Sequence, residues 1–497
     1  MASDQSADLS EHFDGRALLV GNVLHASTEL RGNIHFEAFS SLKTRQGCEL
    51  TWHKPADFDN FLLHLDTSAN PANPIQGQAI TLLRDAFAAQ ASDIHMTCLA
   101  THGSIALRRM GMLEPWRDLG GRTLMTLMRA IYQSMTEAGS PRFDPLKRQE
   151  GRIVNRRFLP PTVHSARVHT EPLQTANGQG LLMTIRLLYD IVKAEGTLSE
   201  RLRALGYAQE QIQSLSKLSH RPGLTLVAGP TGSGKTTLLR HVFEALACEM
   251  PDRSFLSIED PPEYPMQRIA QVLVDTSADN RGAAYGAAIA GALRADPDYL
   301  MIGEIRHPEA SSAAMDAALT GHPVWSSIHA ASALGIFQRL LSLLFVAKFA
   351  DPFSNLQDPS VLSGLVYQRL LPKLCPYCSL KMAQALQDTA YRGDSAFLDM
   401  LRRLKSQGIQ LPAVRIRGAG CEHCQGTGRS GLLVACEIVP TDQTLLQYLA
   451  NRDQDEALAY ARTLGLQTTG QQALQFIGQG HLDPRDAENC LGFFPEP

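Results

Sequence analysis

The sequence predicts an α/β fold: a mostly parallel sheet with flanking helices, joined to an α+β region upstream. Three observations predict it. Leu224–Ala228 is a continuous apolar run of strand length, followed by a glycine-rich loop and then a helical pattern. From Leu224 onward, apolar strands alternate with helical stretches, as in parallel strands joined by crossover helices. Between Asp93 and Leu188, short alternating segments mix with one clear helix, Thr123 to Glu137, which reads as α+β.

The bulk composition fits several globular domains. A chain of 497 residues, 44% of them hydrophobic, is too long for one core and apolar enough for about three. The formal net charge is −4, without a long basic block. A dedicated nucleic-acid motor needs a basic footprint, so no nucleic-acid partner is expected. The N-terminus carries Asp4 and Asp8 and no apolar segment, so no signal peptide is visible. The longest apolar stretch, Leu340 to Ala350, is interrupted by Lys348 and too short to span a bilayer. A cytoplasmic protein without a transmembrane segment is expected. Nine cysteines in a reducing compartment argue against a disulfide framework.

Taken in order, residues up to about 75 are mixed and poorly periodic. Ser68 to Ile75 reads as a linker, with two Asn-Pro steps within it or at its edge. A helix follows from Gln78 to Gln90, with Ile80, Leu83, Ala86 and Phe87 on one face. Ile191 to Gly206 reads as a hinge with a short helix. The chain beyond about residue 440 reads as helical, and no internal repeat is present.

The loop Gly229-Pro230-Thr231-Gly232-Ser233-Gly234-Lys235-Thr236-Thr237 carries the chemistry most plainly. It fits a P-loop, with a strand before it and a helix after it. Its glycines let several N–H groups face one point, and the helix adds its positive end. Lys235 is expected on the β- and γ-phosphates, and the Thr236 hydroxyl on Mg²⁺. Glu259, in Ser257-Ile-Glu-Asp-Pro-Pro-Glu-Tyr264, follows an apolar strand. Glu304 emerges from the apolar run Tyr299–Ile302. Ligands of open α/β sheets bind at such strand ends. A carboxylate there can orient water or accept hydrogen bonds from Mg²⁺-bound water. The ordinary alternative is a solvated acid. His329 follows the strand Val324–Ile328 and is expected at the same edge, although a histidine satisfied by backbone is common. Two C-x-x-C knuckles, Cys375/Cys378 and Cys421/Cys424, fit a four-thiolate structural Zn²⁺ site, against the alternative of four buried thiols. His423 is expected to face solvent.

Together these segments resemble the secretion ATPase superfamily of type II secretion and type IV pilus assembly. The resemblance runs from about Ser92 to the C-terminus. GPTGSGKTT is the P-loop, IEDPPEY is similar to the family's Asp box, and LRADPDYLMIGEIR to its Walker B element. TGHPVWSSIHA is similar to its His box, and QRLLPKLCPYC with GCEHCQGTG to its zinc module. Within the Walker B-like segment Gly303 stands where many ATPases have aspartate; departures from the family are His307 in place of an acid, a missing aromatic in Thr427–Gly431, and a first 75 residues shorter than many docking domains. The zinc module sets the chain apart from retraction and conjugation motors.

This resemblance implies a RecA-like core at 207–371, preceded by a docking region at 1–75, a PAS-like α+β domain at 76–190 and a linker at 191–206. A zinc subdomain at 372–436 and a helical C-terminal region at 437–497 would follow. It implies ATP, Mg²⁺ and Zn²⁺ as cofactors and a homo-hexamer docked peripherally on an inner-membrane platform protein. Arg167 and Arg186 fall where the family places arginines that face the nucleotide phosphates, although surface salt bridging also explains them. Glu259 is expected to position the attacking water, Glu304 to order the Mg²⁺ shell, and His329 to report the nucleotide state. Competing functions are a nucleotide-gated scaffold, a nucleic-acid translocase, and a retraction or conjugation motor.

Overall fold

The computed structural model describes residues 17–20, 22–54, 57, 74–138, 142–175, 178–189, 196–274 and 280–494. The chain divides into two compact units, Met1–Val192 and Lys193–Pro497.

The first unit opens with a small sheet. Strands β1 (Ala17–Val20) and β2 (Val23–Ser27) pair antiparallel, and β3 (Glu49–His53) joins β2 in parallel after helix α1 (Ile34–Arg45). Leu24, Ala26, Leu30 and Phe36 form its core. The linker expected at Ser68–Ile75 lies mostly outside the described residues. Its last two residues, Pro74 and Ile75, instead open helix α2 (Pro74–Ala88). Proline is suited to a first helical turn because its φ is already helical and its missing N–H has no partner to lose.

A seven-stranded antiparallel sheet follows. Its strands are β4 (Asp93–Cys98), β5 (His102–Arg109), β6 (Met112–Gly120), β7 (Glu137–Ala138), β8 (Gln149–Ile153), β9 (Val163–Thr175) and β10 (Gly178–Tyr189). The spatial order is β6-β5-β4-β10-β9-β8-β7. Helix α3 (Gly121–Met135) packs on it with α2. Alternation assigns the faces: Ile94, Met96, Met183 and Ile185 turn to the helices, and Asp93, His95, Thr184 and Arg186 to the other side.

The second unit starts with α4 (Leu198–Ala204), capped by a reciprocal Thr197–Glu200 box, and α5 (Gln209–Ser219). Its central sheet contains β11 (Gly223–Ala228), β12 (Phe255–Glu259), β13 (Ala270–Leu273), β14 (Tyr299–Ile305), β15 (Pro323–Ile328) and β16 (Leu362–Leu374). A two-stranded ribbon, β17 (Leu380–Lys381) with β18 (Arg415–Ile416), precedes the last strand of that sheet, β19 (Arg429–Pro440). The order is β13-β12-β14-β15-β11-β16-β19, parallel except for β19 on β16. Helices α6 (Lys235–Glu249), α7 (Arg281–Ala292), α8 (Pro308–Leu319) and α9 (Gly335–Val346) are the crossovers. Leu226 and Ile302 belong to one apolar layer, and Val227 and Met301 to the other, so the sheet is buried on both faces.

Helix α10 (Ser395–Ser406) shares an apolar cluster with Leu371, Met382, Val414 and Ile416. After β19 come α11 (Gln443–Ala450), α12 (Gln454–Thr463), α13 (Thr469–Gly478) and α14 (Pro484–Leu491). The buried pair Arg429–Asp486 fastens β19 to α14, with Nη2 2.7 Å from Oδ1. Among the described residues no helix is long and apolar enough to cross a membrane. The apolar stretch at 340–350 is mostly α9, whose Leu340, Leu341 and Leu344 are buried in the core.

Candidate nucleotide site and metal centre

Strand β11 is buried at every residue and is flanked in parallel by β15 and β16. The chain leaves it at Gly229, whose φ is 149°. A Cβ there would stand 2.3 Å from the main-chain oxygen of Gln368, so only glycine lets the loop pass this close to β16. Gly234, at φ 84°, caps α6, and the helix begins at Lys235. The loop therefore ends on a helix N-terminus, where unpaired N–H groups attract anions. The Ser233 hydroxyl is buried and has no hydrogen-bond partner among the described residues. Lys235 Nζ donates to the carbonyl oxygens of Gly229 (2.8 Å) and Pro230 (3.0 Å). Burial pulls the Lys235 ammonium below its ordinary pKa, while Glu304 acts upward and Arg306 downward. Thr236 and Thr237 occupy the first turn of α6, with Thr236 exposed. Pro230, Thr231 and Gly232 form the exposed crest of the loop.

Glu259, Glu304 and His329 stand at the C-terminal ends of β12, β14 and β15. The parallel register carries all three to the sheet edge that also holds the P-loop. Glu259 is nearly buried. Its Oε1 accepts from Ser257 Oγ (2.8 Å) and Gln271 Nε2 (3.0 Å). Gln271 also donates to the Tyr264 carbonyl (2.9 Å) and accepts from Met266 N–H (2.8 Å), which orders the loop after β12.

Strand β14 runs past its four apolar residues and bulges at Gly303 and Glu304. Ile302 pairs with Ser326 and Ile305 with Ile328, so β14 has one more residue than β15. The bulge re-aims Glu304. Ser327 Oγ donates to the Gly303 carbonyl (2.7 Å) at the interrupted ladder. Glu304 Oε2 lies 2.7 Å from Arg306 Nη2. Its Oε1 lies 2.9 Å from His329 Nε2, an ion pair once the imidazole is protonated but not aligned as a hydrogen bond. Tyr285, on α7, faces the same group. Burial raises its phenol pKa, and the charges of Asp260, Glu304 and Glu259 raise it further.

In the first unit, Arg167 and Arg186 are directly paired neighbours on β9 and β10. Arg152, Asp93 and Arg108 extend the row, so five strands present four arginines and one acid on the face away from α2 and α3. Arg186 Nε donates to Asp93 Oδ1 at 2.8 Å, and Asp93 is 4% exposed. The ion pair therefore orients Arg186 as well as satisfying it.

Cys375, Cys378, Cys421 and Cys424 converge, with all four sulfurs within 4.8 Å of one another. The Cys375–Cys421 and Cys378–Cys424 separations are 3.8 Å, and Cys421–Cys424 is 3.7 Å. A regular tetrahedron with Zn–S bonds of about 2.3 Å has edges of about 3.8 Å, so the residues fit the metal. A disulfide would need about 2.05 Å. Cys424 Sγ accepts from the N–H groups of Cys421 (3.2 Å) and Gly428 (3.1 Å). Burial pushes its pKa up, but these N–H groups and the neighbouring thiols outweigh it and bring it down to about 6. His423 is exposed and stacks on Tyr377, with centroids 4.1 Å apart.

Residues 69–489 match the family described as Type II/IV secretion system protein. The chain belongs to that family. It is a secretion ATPase. It is 29% identical to the type IV pilus assembly ATPase PilB of Thermus thermophilus over 80% of its own length, and spans 41% of that protein. It is 30% identical to a putative type II secretion system protein E of Escherichia coli, over 82% of this chain and 74% of that one. Among solved structures, the ATPase DotB of Yersinia pseudotuberculosis aligns with a TM-score of 0.54 at 18% identity. That alignment covers 86% of this chain and 97% of DotB. DotB of Legionella pneumophila gives 0.53 at 18%, over 85% and 97% of the two chains. At that identity the likeness is one of fold.

Several residues of this secretion ATPase's site carry no signal in the sequence. Gln271 and Tyr285 are single polar residues in apolar segments, and Ser327 and Gln368, although inside the His-box and zinc-module segments, are brought to the site only by their neighbours in the sheet. Asp93 and Arg152 were within reach: alternation on adjacent strands places each in the row of Arg167 and Arg186.

Proposed function

We propose that this chain is a cytoplasmic motor that hydrolyses Mg-ATP to drive type IV pilus assembly or type II secretion. We further propose that it works as a homo-hexamer docked on an inner-membrane platform protein. The observation that supports this best is the convergence at one sheet edge of Lys235, Glu304, His329 and Glu259 around a P-loop. The N–H groups of residues 232–236 would hold the β- and γ-phosphates, with Lys235 exchanging its carbonyl partners for phosphate oxygens. Thr236 and the Glu304 carboxylate would hold Mg²⁺ and its waters, and the ion neutralises charge on the transferring phosphoryl group. Glu259, oriented by Ser257 and Gln271, would align the attacking water. Arg167 and Arg186 would supply further positive charge to the transition state. His329, paired to Glu304, would respond to the charge there.

Magnesium-dependent release of phosphate by the purified chain tests this reading. The parent should turn over ATP, and Lys235→Ala should reduce the rate by at least about 10²-fold without loss of fold. A chain that binds nucleotide without phosphate release would be a gated scaffold instead. The zinc centre would be structural, because its four thiolates leave no open position.

A further inference from the structure

We propose that Gln368, oriented by Tyr207, is a positioning residue that sets the direction of the P-loop peptides. The proposal rests on the nucleotide-binding reading of that loop. Strand β16 pairs with β11 up to Ala228 opposite Tyr367, so the next residue, Gln368, stands beside the point where the chain turns into the loop. Gln368 is 2% exposed and Tyr207 is 5% exposed.

The amide of Gln368 has only one orientation that satisfies both neighbours. Its Nε2 donates to the main-chain carbonyl of Ser233 at 2.6 Å. A carbonyl can only accept, so the NH₂ must face it and Oε1 must face Tyr207. The Tyr207 hydroxyl donates to that Oε1. Burial raises the Tyr207 pKa far above its ordinary value, which keeps the hydroxyl a donor.

Peptide planarity turns this clamp into a functional device. The carbonyl of Ser233 and the N–H of Gly234 belong to one trans peptide and point in opposite directions. Holding the carbonyl on Gln368 aims the Gly234 N–H away from β16. Gly234, at φ 84°, tolerates either orientation of that peptide, so the loop's own sequence does not decide. If the peptide flipped, a carbonyl oxygen would replace a donor and repel phosphate. The clamp also ties the loop to the start of the second unit, because Tyr207 lies in the turn between α4 and α5 and its N–H bonds to Leu202 O (3.1 Å).

The test compares the full-length parent with Gln368→Leu, Tyr207→Phe and the double variant. MgADP binding is read by a fluorescent analogue, and steady-state hydrolysis by phosphate release. Leucine fills the space but cannot donate. Gln368→Leu should weaken MgADP binding about tenfold or more and raise KM by a similar factor. The kcat should change by less than about threefold, because a contact common to ground and transition states is lost. Tyr207→Phe should weaken binding by about two- to fivefold. It should add nothing in the Gln368→Leu background, since it acts through that amide. A purely structural role would lower the melting temperature and leave affinity alone.

Gln368→Leu binding MgADP within twofold of the parent overturns the clamp. If that variant does not fold, Tyr207→Phe decides: unchanged affinity overturns the proposal, and weakened affinity supports it. A parent that binds no MgADP overturns the reading of the loop itself, an outcome visible before any variant is measured.

Discussion

Gly303 occupies the place where a Walker B element usually has aspartate, and the structure gives a reason for glycine. A Cβ built there would lie 3.3 Å from the carbonyl oxygen of Ile258 and 3.4 Å from Cγ of Glu259. Ile258 is fixed, because its strand is paired with β14 at Ile302. The contact with that oxygen is the tighter one, so the bulge at 303–304 must itself give by a few tenths of an ångström, carrying Glu304 with it. Against Glu259 Cγ the new methyl makes only an ordinary contact, so the displacement caused by Gly303→Ala, roughly 0.3 Å, falls on the bulge and Glu304. A misplacement of about 1 Å costs on the order of 10²-fold in rate, so 0.3 Å scales to roughly fourfold. Stability should fall by about 1 kcal/mol, the lower end for overpacking, because a bulged segment can adjust. Gly303 is not in the left-handed region, so alanine fits its backbone and the variant isolates the crowding. Gly303→Asp restores the more common motif but adds bulk and a second negative charge beside Glu259, and the two carboxylates repel. Its turnover should drop by about 10²-fold. Steady-state phosphate release and thermal unfolding measure both effects. An aspartate variant as fast as the parent would refute the argument from space and charge.

Two further predictions concern more distant groups. Arg186→Ala should lower kcat by about 10²-fold and nucleotide affinity much less, as a contact that strengthens in the transition state does. Asp93→Asn, which keeps the shape but weakens the hold on Arg186, should give a smaller loss in the same direction; equal losses of affinity and rate in both variants would point to a ground-state contact. The purified chain should carry about one zinc, and Cys421→Ser should lose it. Chelation should lower the melting temperature of the parent but not of the serine variant, and metal analysis with thermal unfolding would expose a chain that binds none.

The parts of the site that depend on local sequence were legible. The P-loop announces itself because strand, glycines, lysine and helix are contiguous. The cysteine centre does so because two short knuckles carry all four sulfurs. Glu259 and Glu304 could be placed because each ends an apolar run, and parallel strands bring such ends together. The bulge at Gly303 was not legible, because it exists only relative to the register of β15. Nor was the Tyr207–Gln368 pair, whose members are 161 residues apart.

The helix after the linker shows a subtler miss. Periodicity pointed to Ile80, Leu83, Ala86 and Phe87, but the buried stripe of α2 is Ala79, Leu82, Leu83 and Ala86. The two alanines allow close approach, and the larger Ile80 and Phe87 sit at the margins, with Phe87 stacking on Tyr189 at 5.8 Å. Before residue 54, β1 to β3 have only four or five residues each, too few to show a period.

The central claim is that a triphosphate is held by the main chain of 229–236 while Glu259 and Glu304 await at the neighbouring strand tips. A crystal structure with Mg²⁺ and a non-hydrolysable ATP analogue tests it most directly. The account predicts phosphates bonded to the loop's N–H groups and Lys235 Nζ moved off the Gly229 and Pro230 carbonyls onto them. An analogue bound elsewhere, with the loop empty and Lys235 still on those carbonyls, would contradict it.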